Sequence, residues 1–129
     1  MALKPTEAEL EILNLLWNSG PSTVRQLNDQ QSKNREIGYT TTLKIMQIMH
    51  QKRLLTRIKE GKSHIYEPDI SKKDTQNHVV KKLADGLFQG SALRLAMHAL
   101  GSTKSSKEDI EEVRAFLNSL EDKNNRDNE

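Results

Sequence analysis

The apolar positions of this chain fall into short stripes with helical spacing, interrupted once by two alternating runs. Leu10, Leu13, Leu16 and Trp17 lie close to one helical face, and Thr6 with Glu9 forms the T-x-x-E capping box that opens such a helix. Asn18-Ser19-Gly20-Pro21 ends it. A second start follows at once, with Ser22 or Thr23 as N-cap and Gln26 downstream of Thr23, but Val24 and Leu27 are its only clear buried anchors. Residues 28–36 are polar throughout and read as the end of that helix and a connecting loop. A third helix is predicted from about residues 38–40 to residue 52. Spacing at i, i+3, i+4 and i+7 puts residues 42, 45, 46 and 49 on its inward face and leaves Thr40, Thr41, Lys44, Gln47 and Gln51 pointing out.

The helical period then gives way to alternation. Leu55 to Lys59 and Ser63 to Glu67 read as strands around Glu60-Gly61, with Thr, Ile and Tyr supplying β-propensity, and Pro68 closes the segment. Helical spacing resumes behind the cap Ser71-Lys72-Lys73-Asp74, with Val79, Val80, Leu83, Leu87 and Phe88 recurring up to Gly90. Ser91 opens a further amphipathic stretch to Leu100, and Gly101 stops it. Ser105 with Glu108 is expected to cap a last helix carrying Ile110, Val113, Phe116, Leu117 and Leu120, followed by a polar tail.

This order predicts a mainly α protein with a small β-wing. Residues 1–70 read as a winged helix-turn-helix, residues 71–121 as a three-helix dimerisation domain and residues 122–129 as a polar tail. The dimer reading rests on size, because a helical segment that short cannot bury enough apolar surface by itself. Val80, Leu83, Leu87, Phe88, Leu93, Leu100, Val113, Phe116 and Leu117 are the residues expected to meet a second copy. Two copies would hold two reading helices at a fixed spacing, the arrangement that matches paired half-sites.

Composition narrows the function. Hydrophobic residues make up 34% of the chain and charged residues 29%, a soluble globular balance, and no apolar run exceeds three residues. No membrane span or signal segment is expected, and the reading is a cytoplasmic protein. With no cysteine, disulfides, thiolate zinc sites and thiol-based sensing are excluded within this chain. The net charge of +2 is unevenly spread: residues 33–66 carry eight Lys/Arg against two Asp/Glu, net +6, while the segments before and after it are each net −2. A confined basic patch fits a phosphate backbone.

That patch contains the outward stripe of the third helix. Tyr39, Thr40, Thr41, Lys44 and Gln47 are the candidate DNA-reading residues, since short hydroxyl side chains allow close approach to phosphates and thymine methyls while Lys44 reaches guanine edges or backbone oxygens. Arg57, Lys59 and Lys62 on the wing are candidate phosphate contacts. The bland alternative is a solvated polar face, which such a stripe would be without its basic neighbours. His50, His64, His78 and His98 show no H-x-x-H or H-E-x-x-H spacing, and the sequence carries no phosphate loop, nucleophile elbow or paired-carboxylate motif. No metal, cofactor or catalytic residue is expected. The competing class is a winged helix that binds a protein partner instead of an operator, because fold alone does not settle function.

Four segments in this order, Thr6-Glu7-Ala8-Glu9-Leu10 leading to Leu16-Trp17, Tyr39-Thr40-Thr41-Thr42-Leu43, Lys59-Glu60-Gly61-Lys62 with Ile65-Tyr66, and Leu87-Phe88-Gln89-Gly90-Ser91, resemble the BlaI/MecI/CopY family of penicillinase-type repressors. The resemblance covers nearly the whole chain. It implies a homodimeric repressor of a double-stranded DNA operator, with N-terminal winged helices and a C-terminal helical dimer domain. Three departures stand out. Arg53 replaces the glycine that usually ends the recognition helix, Ile48 stands where an arginine is common, and the copper-responsive branch's cysteine motif is missing. The penicillinase branch also implies an inactivating protease that cuts the fifth helix at an Asn-Phe pair, where an ungapped reading of this chain places His98-Ala99.

Overall fold

The computed structural model describes residues 5–128. Its elements are α1 (Glu7–Ser19), α2 (Val24–Gln31), α3 (Tyr39–Gln51), β1 (Leu55–Glu60), β2 (Ser63–Pro68), α4 (Lys72–Leu87), α5 (Ala92–Gly101) and α6 (Lys107–Asp127). The chain divides into two compact units, the division falling between Asn77 and His78 inside α4. The first turn of α4 goes with the N-terminal unit, where Thr75 is buried and its hydroxyl donates to the Ser71 carbonyl at 2.8 Å.

In the N-terminal unit both capping boxes form. The Thr6 hydroxyl accepts from the Glu9 amide while the Glu9 carboxylate accepts from the Thr6 amide, and Thr23 and Gln26 repeat the exchange at α2. Each box satisfies two amides that a helix start would otherwise leave unpaired. The core collects Ile12, Leu13 and Leu16 from α1, Val24 and Leu27 from α2, Met46 and Met49 from α3, and Leu54, Leu55 and Tyr66 from the ribbon and its approach. Leu10 and Trp17 are only partly buried and Ile12 is fully buried, which displaces the predicted stripe. The cause is that α1 packs against α2, α3 and β2 together, so its buried face is wider than one stripe. Trp17 instead sits at the edge, where its indole N–H reaches the Ile70 carbonyl at 3.4 Å.

The wing is an antiparallel ribbon in which Leu55 faces Pro68, Arg57 faces Tyr66 and Lys59 faces His64. Its two-residue turn opens with Gly61 at φ 62°, a left-handed position that a hairpin turn with glycine first requires. Ser22 adds a third, one-residue strand. Its amide donates to the Tyr66 carbonyl at 3.0 Å and accepts the Tyr66 amide on its own carbonyl at 2.8 Å, which ties the ribbon to the turn between α1 and α2.

At the end of α3, Arg53 takes the left-handed conformation, φ 65°. The Arg53 amide bonds back to the His50 carbonyl at 3.1 Å and the Leu54 amide to the Met49 carbonyl at 2.9 Å, the paired reverse bonds of a Schellman ending. A left-handed non-glycine residue costs about 1–2 kcal/mol, against roughly 0.5–1 kcal/mol of extra unfolded-state entropy for glycine. Arg53→Gly is therefore expected to raise the stability of the N-terminal unit by up to about 1 kcal/mol, read as a higher denaturation midpoint with unchanged slope. A lowered midpoint would mean that the arginine side chain makes a contact outweighing its backbone strain.

The C-terminal unit contains most of α4, then α5 and α6. Ser71 caps α4 through the Asp74 amide at 3.0 Å and Ser91 caps α5 through the Arg94 amide at 3.1 Å. The cap of α6 is not the expected Ser105–Glu108 pair: Ser106 and Asp109 form the capping box, one residue later. That register places Glu108 and Asp109 both in the first turn, where the helix dipole favours them. Helix α6 continues through residues 122–127, where the sequence reading expects a tail. Among the described residues of this unit, Ala84 is the one buried apolar side chain, and α5 and α6 bury none.

Candidate nucleic-acid interface

The helix-turn-helix consists of α2, the loop over residues 32–38 and α3, and its interior is held by polar side chains. Asn28 and Gln31 are buried on α2, and Thr42 is fully buried on α3. The Asn28 amide donates to the Thr42 hydroxyl at 3.0 Å and to the Ile37 carbonyl at 2.9 Å, and the Thr42 hydroxyl donates to the Gln31 side-chain oxygen at 2.8 Å. Gln31 in turn donates to Glu11 on α1 at 3.2 Å, and Glu11 accepts from Arg35 of the loop at 2.6 Å. This chain of bonds explains why α2 holds its place with so few apolar residues. Satisfied networks of this kind specify one arrangement of the helices that share them.

Two carboxylates of α1 support that arrangement. Burial would raise the Glu9 carboxyl, but the Thr6 amide and the Lys52 ammonium, at 2.9 and 3.1 Å from its oxygens, outweigh it and hold the pKa below the usual range. Arg35 does the same for Glu11. A lowered carboxylate contributes stability that is complete above its unfolded pKa and is lost as pH falls through the folded value, so both contacts weaken in acid.

With its inner face fixed, α3 exposes the rest. Thr40, Thr41, Lys44, Gln47 and Gln51 are exposed, whereas Thr42, Met46 and Met49 are buried. Gly38 gives α3 no side-chain cap, unlike α1, α2, α5 and α6; the Thr41 amide turns back to the Gly38 carbonyl at 3.1 Å, which leaves the amides of Tyr39 and Thr40 for an outside acceptor. Ile48 is 38% exposed on the same helix.

The wing candidates do not behave alike. Lys59 and Lys62 are exposed at the end of the ribbon. Arg57 is half-buried, with its guanidinium 3.3 Å from the Tyr66 hydroxyl and 6.0 Å from the ring centre, and is held against the ribbon. Lys62 and Tyr39 line one cleft together with Thr23, Arg25, Ser63 and His64, so the start of α3 and the wing turn meet across it. Arg25, which the sequence reading passed over, lies on α2 with its guanidinium 4.5 Å above the Tyr39 ring. It stands outside the basic segment, in a stretch whose net charge is negative, and only the fold brings it to Tyr39.

The residues assigned to a dimer contact sit in the C-terminal unit with their apolar surfaces uncovered. Leu87 is 73% exposed, Leu93 68% and Phe116 60%. Val80, Leu83, Leu100 and Leu117 are exposed as well. Phe88 and Val113 are half-buried, the former with its ring 5.6 Å from that of His98. Among the described residues no helix is long and apolar enough to cross a membrane.

Comparison with known proteins bears on the whole chain. The family model described as "Penicillinase repressor" matches residues 5–119. The transcriptional regulator BlaI of Mycobacterium tuberculosis is 32% identical over 63 residues, which is 48% of this chain and 46% of that protein, so the match spans less than half of the relative's length. The methicillin resistance regulatory protein MecI of Mammaliicoccus sciuri is 20% identical over 113 residues, covering 88% of this chain and 92% of MecI. A MarR family protein structure from Bacillus stearothermophilus superposes with a TM-score of 0.50 over 92% of this chain and 74% of its own, at 18% identity, a likeness of fold.

Proposed function

The chain belongs to the penicillinase repressor family, and from that premise we propose that it is a transcriptional repressor which binds a palindromic operator in double-stranded DNA as a homodimer. The observation that carries the DNA half is the division of α3. One face is locked to α2 through Thr42, and the opposite face presents Thr40, Thr41, Lys44 and Gln47 from an open N-terminus beside the basic wing. Hydroxyls and a lysine on a rigid helix can meet base edges, and exposed Lys59 and Lys62 can meet phosphates on either side. Arg57 gives one of its five N–H groups to Tyr66 and keeps the others for a phosphate.

The homodimer is supported by the bare apolar faces of α4, α5 and α6. A C-terminal unit with one buried apolar side chain among its described residues has no core of its own there, and a second copy offers the same uncovered face for a self-complementary contact. We assign residues 1–70 to operator reading and 71–121 to dimerisation. Cytoplasmic action follows from the target. An inactivating protease directed at α5 would find His98 and Ala99 exposed.

Thr41→Ala and Lys44→Ala are each expected to weaken operator binding by about 1–3 kcal/mol, the worth of a base-directed contact, while binding to random duplex falls less. Lys62→Ala should weaken both alike and lower the log-log salt slope by about one. Titrations of both duplexes across salt decide it. An unchanged specific-to-random ratio in Thr41→Ala and Lys44→Ala would displace the reading surface from α3, and a chain that binds no duplex at low salt would be the protein-binding alternative.

A further inference from the structure

We propose that the cleft between the first turn of α2, Tyr39 and the wing turn is a separate clamp for one backbone phosphate of the bound DNA, with Arg25 as its principal ligand. The proposal rests on the DNA-binding reading and adds a contact outside α3 and the basic segment. Its lining carries two cations, Arg25 from α2 and Lys62 from the wing turn, with His64 and the hydroxyl-bearing Thr23 and Ser63 beside buried Val24 and Tyr66, and includes no carboxylate. The cleft measures about 110 Å³. Sites for organic ligands usually run to roughly 300–1,000 Å³ and are mainly apolar, so the volume and lining suit a compact oxyanion instead.

The position of Arg25 strengthens this reading. Its guanidinium carbon lies 4.5 Å from the centre of the Tyr39 ring and has no carboxylate partner among the described residues, which leaves its N–H groups for the paired oxygens of a phosphate. Tyr39 is the first residue of α3, so the stack ties the arginine to the start of the reading helix. The capping exchange at Thr23 and Gln26 uses the amides of those two residues. The amides of Val24 and Arg25 have no carbonyl one turn earlier in the helix, and both residues line the cleft, where the helix dipole adds to the attraction for an anion. Lys62 and His64 approach from the ribbon, so the anion would be held from two elements at once.

Full-length protein and a random-sequence duplex, titrated over a range of salt, test the clamp. Arg25→Ala is expected to lower affinity about tenfold and the log-log salt slope by about one, and Arg25→Lys to keep the slope while losing part of the affinity, since a point charge replaces the fork. In a Tyr39→Ala background, Arg25→Ala should cost much less, because the arginine has already lost the ring that positions it. Thermal melting of each variant confirms that exposed Arg25 is not needed for folding. Affinity and slope unchanged in Arg25→Ala, with the parent chain binding in a salt-dependent way, would overturn the clamp and leave the DNA reading standing. Full additivity with Tyr39→Ala would overturn the positioning role of the stack. No salt-dependent binding by the parent chain would remove both the clamp and the reading beneath it.

Discussion

Leu87→Asp and Leu83→Asp are expected to leave a monomer with a folded N-terminal unit that has lost most of its operator affinity. The two changes differ from ordinary core substitutions because Leu87 is 73% exposed and Leu83 45% exposed within a single chain. A charge at either position therefore disturbs little in the chain itself. In a dimer the same side chain would be buried, where a large apolar residue is worth about 1.5–3 kcal/mol and an unpaired carboxylate is strongly disfavoured. Two substitutions enter each symmetric interface, so the penalty counts twice. Once the copies separate, the second half-site is no longer held near the first, and a gain of order 10²–10⁴ in effective affinity disappears. Sedimentation should show half the mass, operator titration the large loss, and random-duplex binding a small one. A chain that stays dimeric with Asp at both positions would remove the assignment of residues 71–121 to dimerisation.

The sequence made different parts of this molecule legible for different physical reasons. Capping boxes are local, so Thr6 with Glu9 and Thr23 with Gln26 were readable from a four-residue spacing and recur as bonds in the structure. The same locality misled at α6, where Ser105–Glu108 and Ser106–Asp109 both satisfy the pattern and only the first-turn placement of the two acids separates them. Periodicity divided α3 into Thr42, Met46 and Met49 inside and Thr40, Thr41 and Lys44 outside, with Ile45, expected inside, half-buried at the edge of the core. On α1 it found Leu13 and Leu16 but missed Ile12 and placed Leu10 and Trp17 too deep. Long-range pairings carried no local signal. The bridge from Ser22 to Tyr66 is one residue long, and the Arg25–Tyr39 stack joins an acidic stretch to a basic one. Charge counting by segment could not find that arginine. A search for lone basic residues near the start of a reading helix's predecessor would have flagged it.

The buried polar chain beneath α3 was equally hidden, because Asn28 and Gln31 look like surface residues, and it supports the second large effect. Thr42→Val is expected to destabilise the N-terminal unit by about 1–3 kcal/mol although the two side chains have nearly the same shape. No cavity opens, so packing loss does not explain such a change. The valine removes a hydroxyl that accepts from Asn28 and donates to Gln31, leaving the Gln31 oxygen and one Asn28 N–H buried without that partner. Thr42→Ser keeps the hydroxyl and should cost much less, and Thr41→Val, one residue away and exposed, should stay within about 0.5 kcal/mol. In a unit of this size each kcal/mol lowers the melting temperature by about 4–8 °C, so the three variants separate clearly in a thermal scan. The loss also reaches function, since the same bonds set α3 against α2. Operator binding by Thr42→Val should weaken more than random-duplex binding even at a temperature where the variant is fully folded. Equal melting temperatures for Thr42→Val and Thr41→Val would show that the network adds nothing to the fold, and the rigid presentation of Thr40, Thr41 and Lys44 would then have to come from Met46 and Met49 alone.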